Sequence, residues 1–174
     1  MALINKILPG YTATLWMQTG STPTALSVAN LSVWTGHVAA IIGTSAGGTG
    51  GDGIQIPVEA VPAFGADDAV AAYSVAGART GAKVTTQNQV TSLTTTAAWN
   101  PADTAQLLIR ADGYGGTVVR TYVVAVYDGT DTVAYAFNGM VGGLQWDLQP
   151  NAESKFIFTI HPIGGLYYGW SNNA

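Results

Sequence analysis

Along most of this chain apolar and polar residues alternate with a period of two, and glycine- or proline-rich turns interrupt the alternation. From Thr12 to Thr19, Ala13, Leu15 and Met17 alternate with Thr14, Trp16 and Gln18, predicting a half-buried strand. After the Gly20-Ser21-Thr22-Pro23 turn, Leu31 to Ile42 forms a second β-prone run. Gly47 to Gly53 is nearly all Gly, Thr and Asp, too poor in side chains to be fixed by its own packing, and reads as a flexible loop. Period-two spacing returns at Ile54, Ile56 and Val58. Residues 62–88 carry no clear period and read as loop with short strands.

The second half is more legible. Val90 to Trp99 alternates Thr with apolar residues, as a half-exposed strand does. Asn100 then reads as an N-cap, Pro101 as the first helical residue and Asp103 as a favourable first-turn charge. Ala105, Leu108 and Ile109 share one face, and Gly113 with Gly115 and Gly116 closes the segment, so a short helix is expected over about 101–112. Val118 to Tyr127 and Thr132 to Val141 form a hairpin about the Asp128-Gly129 turn. Gly142-Gly143 permits a bulge, Leu144, Trp146 and Leu148 mark a further strand, and Phe156, Phe158 and Ile160 mark the last. Beyond it lies a tail, Gly164 to Ala174, that carries Tyr167, Tyr168 and Trp170 but no charge.

Composition narrows what such a β-rich chain can do. Its 174 residues suit one domain, with 1–11 as an N-terminal arm, 43–53 as the Gly-rich loop and 164–174 as a C-terminal arm. Only 9% of residues are charged while 48% are hydrophobic, too little charge to cover a free surface, so burial against partners is expected. No cysteine is present, which excludes disulfides and thiolate chemistry. The net charge is −4, and the 6 basic residues are scattered, which argues against a nucleic-acid-gripping surface. No apolar stretch approaches the length of a membrane helix, and Met1 to Pro9 does not read as a signal peptide, so synthesis in a cytoplasm is expected.

Apparent catalytic motifs lack the context their chemistry needs. Gly43-Thr44-Ser45-Ala46-Gly47 matches a nucleophile elbow, but a glycine loop follows where a helix must expose the serine. Gly48, Gly50 and Gly53 satisfy a dinucleotide-loop spacing but lead into a strand, so no helix N-terminus awaits a phosphate. His37 and His161 have no metal-ligand partners at suitable spacing and read as structural. Asp128 and Asp131 flank a turn where Asp serves the backbone, and Asn30-Leu31-Ser32 reads as a chance glycosylation match. No enzyme activity, cofactor or metal is expected. Large apolar residues near the ends must dock on their own domain or on another chain. Intersubunit burial is the reading adopted for Leu3, Ile4, Ile7, Leu8, Tyr167, Tyr168 and Trp170, with Gly48, Gly50 and Gly53 as loop contacts.

The pieces TSLTTTAAWNPADTAQLLIRADGYGG and VVRTYVVAVYDGTDTVAYAFNGMVGGLQWDLQPNAESKFIFTIHPIGG, with the ending YYGWSNN, resemble the major tail tube proteins of long-tailed, siphovirus-like bacteriophages. The shared features are the order of elements, the Asn-Pro-x-Asp helix start and the V-R-x-x-V strand, over somewhat under half of the chain. The resemblance implies a mainly β sandwich or partial barrel flanked by one helix. It further implies stacked hexameric rings forming a virion tube for DNA ejection, with tape measure, tail terminator and baseplate or tip proteins as partners. An acidic wall that does not grip passing DNA would suit such a conduit, with Asp67, Asp68, Asp128 and Asp131 as lumen candidates. A head-decoration or tail-completion protein, or a carbohydrate-binding β-sandwich, are the alternatives.

Overall fold

A computed structural model describes residues 13–26, 41–42, 52–73, 82–127, 131–150 and 152–172, with the backbone alone for 66–73, 82–89, 127, 131–132 and 166–172. Among the described residues, the elements with both ends defined are β1 (Ala13–Gln18), β2 (Gly53–Ile56), β3 (Ala66–Tyr73), β4 (Ala82–Val90), β5 (Leu93–Ala98), α1 (Thr104–Gly115), β6 (Val119–Tyr127), β7 (Asp131–Asp147) and β8 (Lys155–Asn172). Six strands form an antiparallel sheet in the order β2-β1-β6-β7-β8-β5, and β3 pairs with β4 in a separate two-stranded sheet. The mainly β class expected from the alternation is what the chain adopts.

The large sheet has two apolar faces because Tyr122 to Val126 of β6 and Val133 to Phe137 of β7 are apolar without interruption, and successive side chains point to opposite faces. On one face Leu15 and Met17 of β1 lie level with Val124 and Tyr122 of β6, which in turn meet Tyr135 and Phe137 of β7. These join Phe156, Phe158 and Ile160 of β8, Leu93 of β5 and Ala105 and Ile109 of α1 in the main core. Burying each of the large side chains contributes about 1.5–3 kcal/mol, so this face dominates stability. On the other face Trp16, Val123, Ala125, Ala134 and Ala136 pack with Leu26 and with Ile41 and Ile42.

The two edges of the sheet are drawn together. After β2 the chain crosses to β5, where the Glu59 N–H donates to the Thr96 carbonyl at 2.8 Å. The Lys155 ammonium reaches the Glu59 carboxylate at 3.0 Å across the same seam. Side chains from both edges line one interior, which makes the sheet a partial barrel with α1 packed against it. The β3–β4 hairpin is rooted in this wall by a clasp in which the Thr91 N–H donates to the Gly65 carbonyl at 2.9 Å.

Four local expectations need correction. Within 62–88, read as loop with short strands, the described residues form the eight-residue β3 and most of the nine-residue β4, whose ladder includes a register shift between Asp68 and Val70. Ile41 and Ile42, at the end of the expected β-prone run, are helical. Both are almost fully buried against the sheet, and that burial outweighs the strand preference of a β-branched pair. The rest of that run, Ser45, His37, Asp128 and the candidates Leu3, Ile4, Ile7, Leu8, Gly48 and Gly50 lie outside the described residues.

Helix α1 begins three residues later than expected. Asp103 is the N-cap and accepts a hydrogen bond from the Gln106 N–H at 2.9 Å. Asn100 instead closes a preceding turn, its side chain accepting from the Ala102 N–H at 3.1 Å. Gln106 completes the junction by donating to the Ala98 carbonyl at 2.7 Å and accepting from the Asn100 N–H at 3.0 Å. Gly113 does not end the helix. It sits within the last turn, where a Cβ would meet the Leu144 side chain at 2.6 Å, and the stop is made by Gly116 at φ 67°.

The fourth correction concerns the C-terminal segment. Tyr167, Tyr168 and Trp170 do not lie beyond the last strand, because β8 continues to Asn172 and pairs with Ala136, Tyr135 and Val133 of the same chain. The strand is interrupted by Gly164, at φ 86°, in a stretch where Gly164, Gly165 and Leu166 stand opposite Phe137 alone. A second irregularity sits across the hairpin at Gly143, φ 60°, matching the bulge expected at Gly142-Gly143.

Candidate assembly surface

The described surface that is open for pairing is a strand edge. β5 accompanies β8 only as far as Ile160, so among the described residues the outer edge of β8 from His161 to Asn172 has no partner strand. Pro162 and the Gly164 bulge interrupt its first part. Leu166–Asn172 then runs as a continuous edge without a single charged residue. Free edges are normally blunted by charge, proline or bulges because they recruit other strands. The two-stranded β3–β4 sheet adds further strand edges beside it, since β4 packs near β8.

Of the expected acidic lumen residues, the three that are described fall on two different sheets. Asp67 and Asp68 open β3 opposite Gln89 and Asn88, whereas Asp131 begins β7 opposite Asn172. Gly53 has a role within its own chain. It is the first residue of β2, level with Gln18, and a Cβ there would stand 2.4 Å from the Ile41 carbonyl oxygen. Glycine at this position is therefore demanded by the close approach of the helical Ile41 to the sheet.

Two polar constellations fix the scaffold beneath this edge, and neither is apparent in the sequence pattern. Asp112 of α1 and Arg120 of β6 are both nearly excluded from solvent, and their side chains form a two-pronged pair, Nε donating to Oδ2 and Nη2 donating to Oδ1 at 2.8 Å. Arg120 Nη1 also donates to the carbonyls of Thr19 and Gln18, so one guanidinium joins the helix end, β6 and the end of β1. The hydrogen bond to Asp112 holds the Arg120 guanidinium even more firmly protonated than usual. Neighbouring Tyr122 has its hydroxyl pushed far above the usual phenol range, chiefly by burial.

On the opposite face Thr121, Asn138 and Thr24 close a ring of hydrogen bonds. The Thr121 hydroxyl donates to Asn138 at 2.7 Å and accepts from the Thr24 N–H at 2.8 Å, while Asn138 donates to the Thr24 carbonyl at 3.1 Å. In the sequence Arg120 reads as one of several scattered cations. Its place at the start of a strand that runs on through Tyr122 to Val126 without a charge was the available signal, because an arginine drawn into such a strand needs a buried acceptor.

Ser92 and His161 come together, with the Ser92 hydroxyl 3.0 Å from Nδ1 of His161. The other ring nitrogen faces Gly142, whose added Cβ would lie 3.0 Å from it, rather than a carboxylate that could orient the imidazole. The pair joins the β4–β5 junction to β8. No group of three or more metal-ligating side chains occurs among the described residues.

Sequence comparison finds no match to any protein-family model and no similar curated protein. The fold, by contrast, recurs in solved structures. The chain is similar to a chain of the anti-feeding prophage baseplate, solved with six-fold symmetrisation, at 10% identity and a TM-score of 0.61, covering 99% of each chain. It is likewise similar to a chain of the PVC extracellular contractile injection system sheath-tube complex in its extended state. That match has 11% identity and a TM-score of 0.60, and covers 95% of this chain and 93% of the other. Against the SPP1 tail tube the identity is 10% and the TM-score 0.56, covering 94% of this chain and 79% of that one.

Proposed function

We propose, from a fold shared with the SPP1 tail tube and with injection-system particles, that this chain is a structural, non-enzymatic subunit of a phage or phage-like tail tube. Copies assemble into rings, and the rings stack into a hollow conduit. Six copies per ring is the number suggested by the six-fold symmetry of the anti-feeding prophage baseplate structure. The observation that carries the reading is the uncharged Leu166–Asn172 edge of β8, which a neighbouring copy would cover by adding a strand. Closing such edges around a ring removes the aggregation hazard that they pose to a single subunit.

In this reading the −4 net charge keeps the wall from gripping DNA in transit, with Asp67, Asp68, Asp128 and Asp131 as lumen positions. Leu3, Ile4, Ile7, Leu8, Gly48 and Gly50 would lie at contacts between subunits. Tyr167, Tyr168 and Trp170 would lie at the β8 edge itself. The chain is made in the host cytoplasm, resides in the virion tail, and meets tape measure, terminator and baseplate proteins there. Sedimentation of the purified chain over a concentration series tests the reading. Ring-sized and larger species that grow with concentration support it, whereas stable trimers point to a head-decoration role and an invariant monomer with sugar affinity to a carbohydrate module.

A further inference from the structure

We infer that neighbouring copies within a ring meet through two different uncharged surfaces: the outer stripe of α1 on one copy and the outward face of β5 and β8 on the next. This rests on the ring reading above. Thr104, Leu107, Ala111 and Tyr114 follow one another at spacings of three and four on the exposed side of α1, with Leu107 42% and Tyr114 74% accessible. A surface helix ordinarily carries its charges on that side. Here they are turned elsewhere: Asp112 is buried with Arg120, Asp103 caps the helix, and the Arg110 guanidinium lies over the Trp99 ring at 5.5 Å.

Among the described residues, the receiving surface is the sheet face that nothing covers. The inner face is filled by the main core, and the outer face of β1, β6 and β7 is covered by Leu26, Ile41 and Ile42. Outward on β5 and β8 stand Thr94, Thr96, Ile157 and Thr159, with the Thr94 and Thr159 hydroxyls bonded to each other at 2.9 Å. Among Asp, Glu, Lys and Arg, β5 and β8 carry Lys155 alone, and it stands at the turn end, where it pairs with Glu59 and lies opposite Asp147. An uncharged helix stripe placed on that end would strip water from ions without pairing them, while the threonine face carries no such cost. A ring of identical copies also requires two unlike patches on each copy, since a head-to-tail contact joins different surfaces. The α1 stripe and the β5–β8 face supply such a pair.

Two kinds of variant test this on the full chain. Leu107→Lys and Thr94→Glu place a charge on each surface at an exposed position, and each should cut the yield of rings about tenfold or more while the thermal melt stays at the parent value. Because the chain has no cysteine, a double variant Ala111→Cys and Ile157→Cys can be treated with a short bismaleimide after assembly, and should give a ladder of covalent multimers up to the ring size. Rings at parental yield in both charge variants, or rings of the cysteine variant that stay uncrosslinked, overturn the interface while leaving the ring reading intact. A parent chain that forms no rings overturns the ring reading and this interface with it.

Discussion

The Asp112 carboxylate and the Arg120 guanidinium are 4% and 5% exposed, and their two-pronged pair is the joint at which α1, β6 and the end of β1 are held together. Removing one partner strands the other as a buried ion. Arg120→Ala should therefore destabilise the fold by about 3–5 kcal/mol in a urea titration. The double replacement Arg120→Met with Asp112→Leu should recover much of that loss, since a well-packed apolar pair avoids the desolvation cost.

Alkaline pH should weaken the fold through Tyr122. Its hydroxyl is pushed above the ordinary value of 10.0 by burial, so the folded state holds the proton more tightly than the unfolded one. The associated stability is present below the unfolded value and is lost as pH rises from there towards the folded value. Thermal melts taken above about pH 10 should fall for the parent chain and fall less steeply for Tyr122→Phe. Lys155, also raised by its bond to Glu59, adds an alkaline loss that Tyr122→Phe leaves in place.

Gly53→Ala should cost about 1–3 kcal/mol, because the new Cβ would lie 2.4 Å from the Ile41 carbonyl oxygen, and backbone must move to admit it. A loop role alone would leave the substitution nearly neutral, so a chemical-denaturation midpoint distinguishes the two.

Much of the architecture was legible because alternation writes itself into residues that see one buried face. The core positions Leu15, Met17, Phe156 and Phe158 follow from period two, the hairpin of β6 and β7 from its two β-prone runs about an Asp-Gly turn, and the bulge from the Gly142-Gly143 pair. Helix α1 was legible in kind, but its start was misplaced, since Asn100 and Asp103 are both competent caps and only the Gln106 bridge to Ala98 selects between them. Residues 62–88 were opaque because β3 and β4 pair with each other outside the main sheet and owe their register to the Gly65–Thr91 clasp. The C-terminal segment misled for a related reason. Gly164-Gly165 reads as the end of a strand, whereas it is a bulge through which β8 continues. The Asp112–Arg120 pair joins residues on different elements and leaves no periodic trace.

The choice of cap has its own test. Asp103→Ala should cost about 1 kcal/mol of stability in thermal or urea unfolding, and Asn100→Ala less, the reverse of what an Asn100 cap requires.

Deleting Gly165 to Ala174 should leave the barrel folded on β8 as far as Ile163, with a lowered melting temperature because β7 loses its partner over Asp131 to Ala136. Circular dichroism should retain the strand signal. Sedimentation of the same truncated chain should show no large species.

The central claim, self-assembly into a tube, is tested most directly by negative-stain electron microscopy of the purified full-length chain over a range of concentration and salt. Rings with a central hole, stacking end to end into tubes as concentration rises, are the predicted result. Monodisperse single subunits under every condition would contradict it.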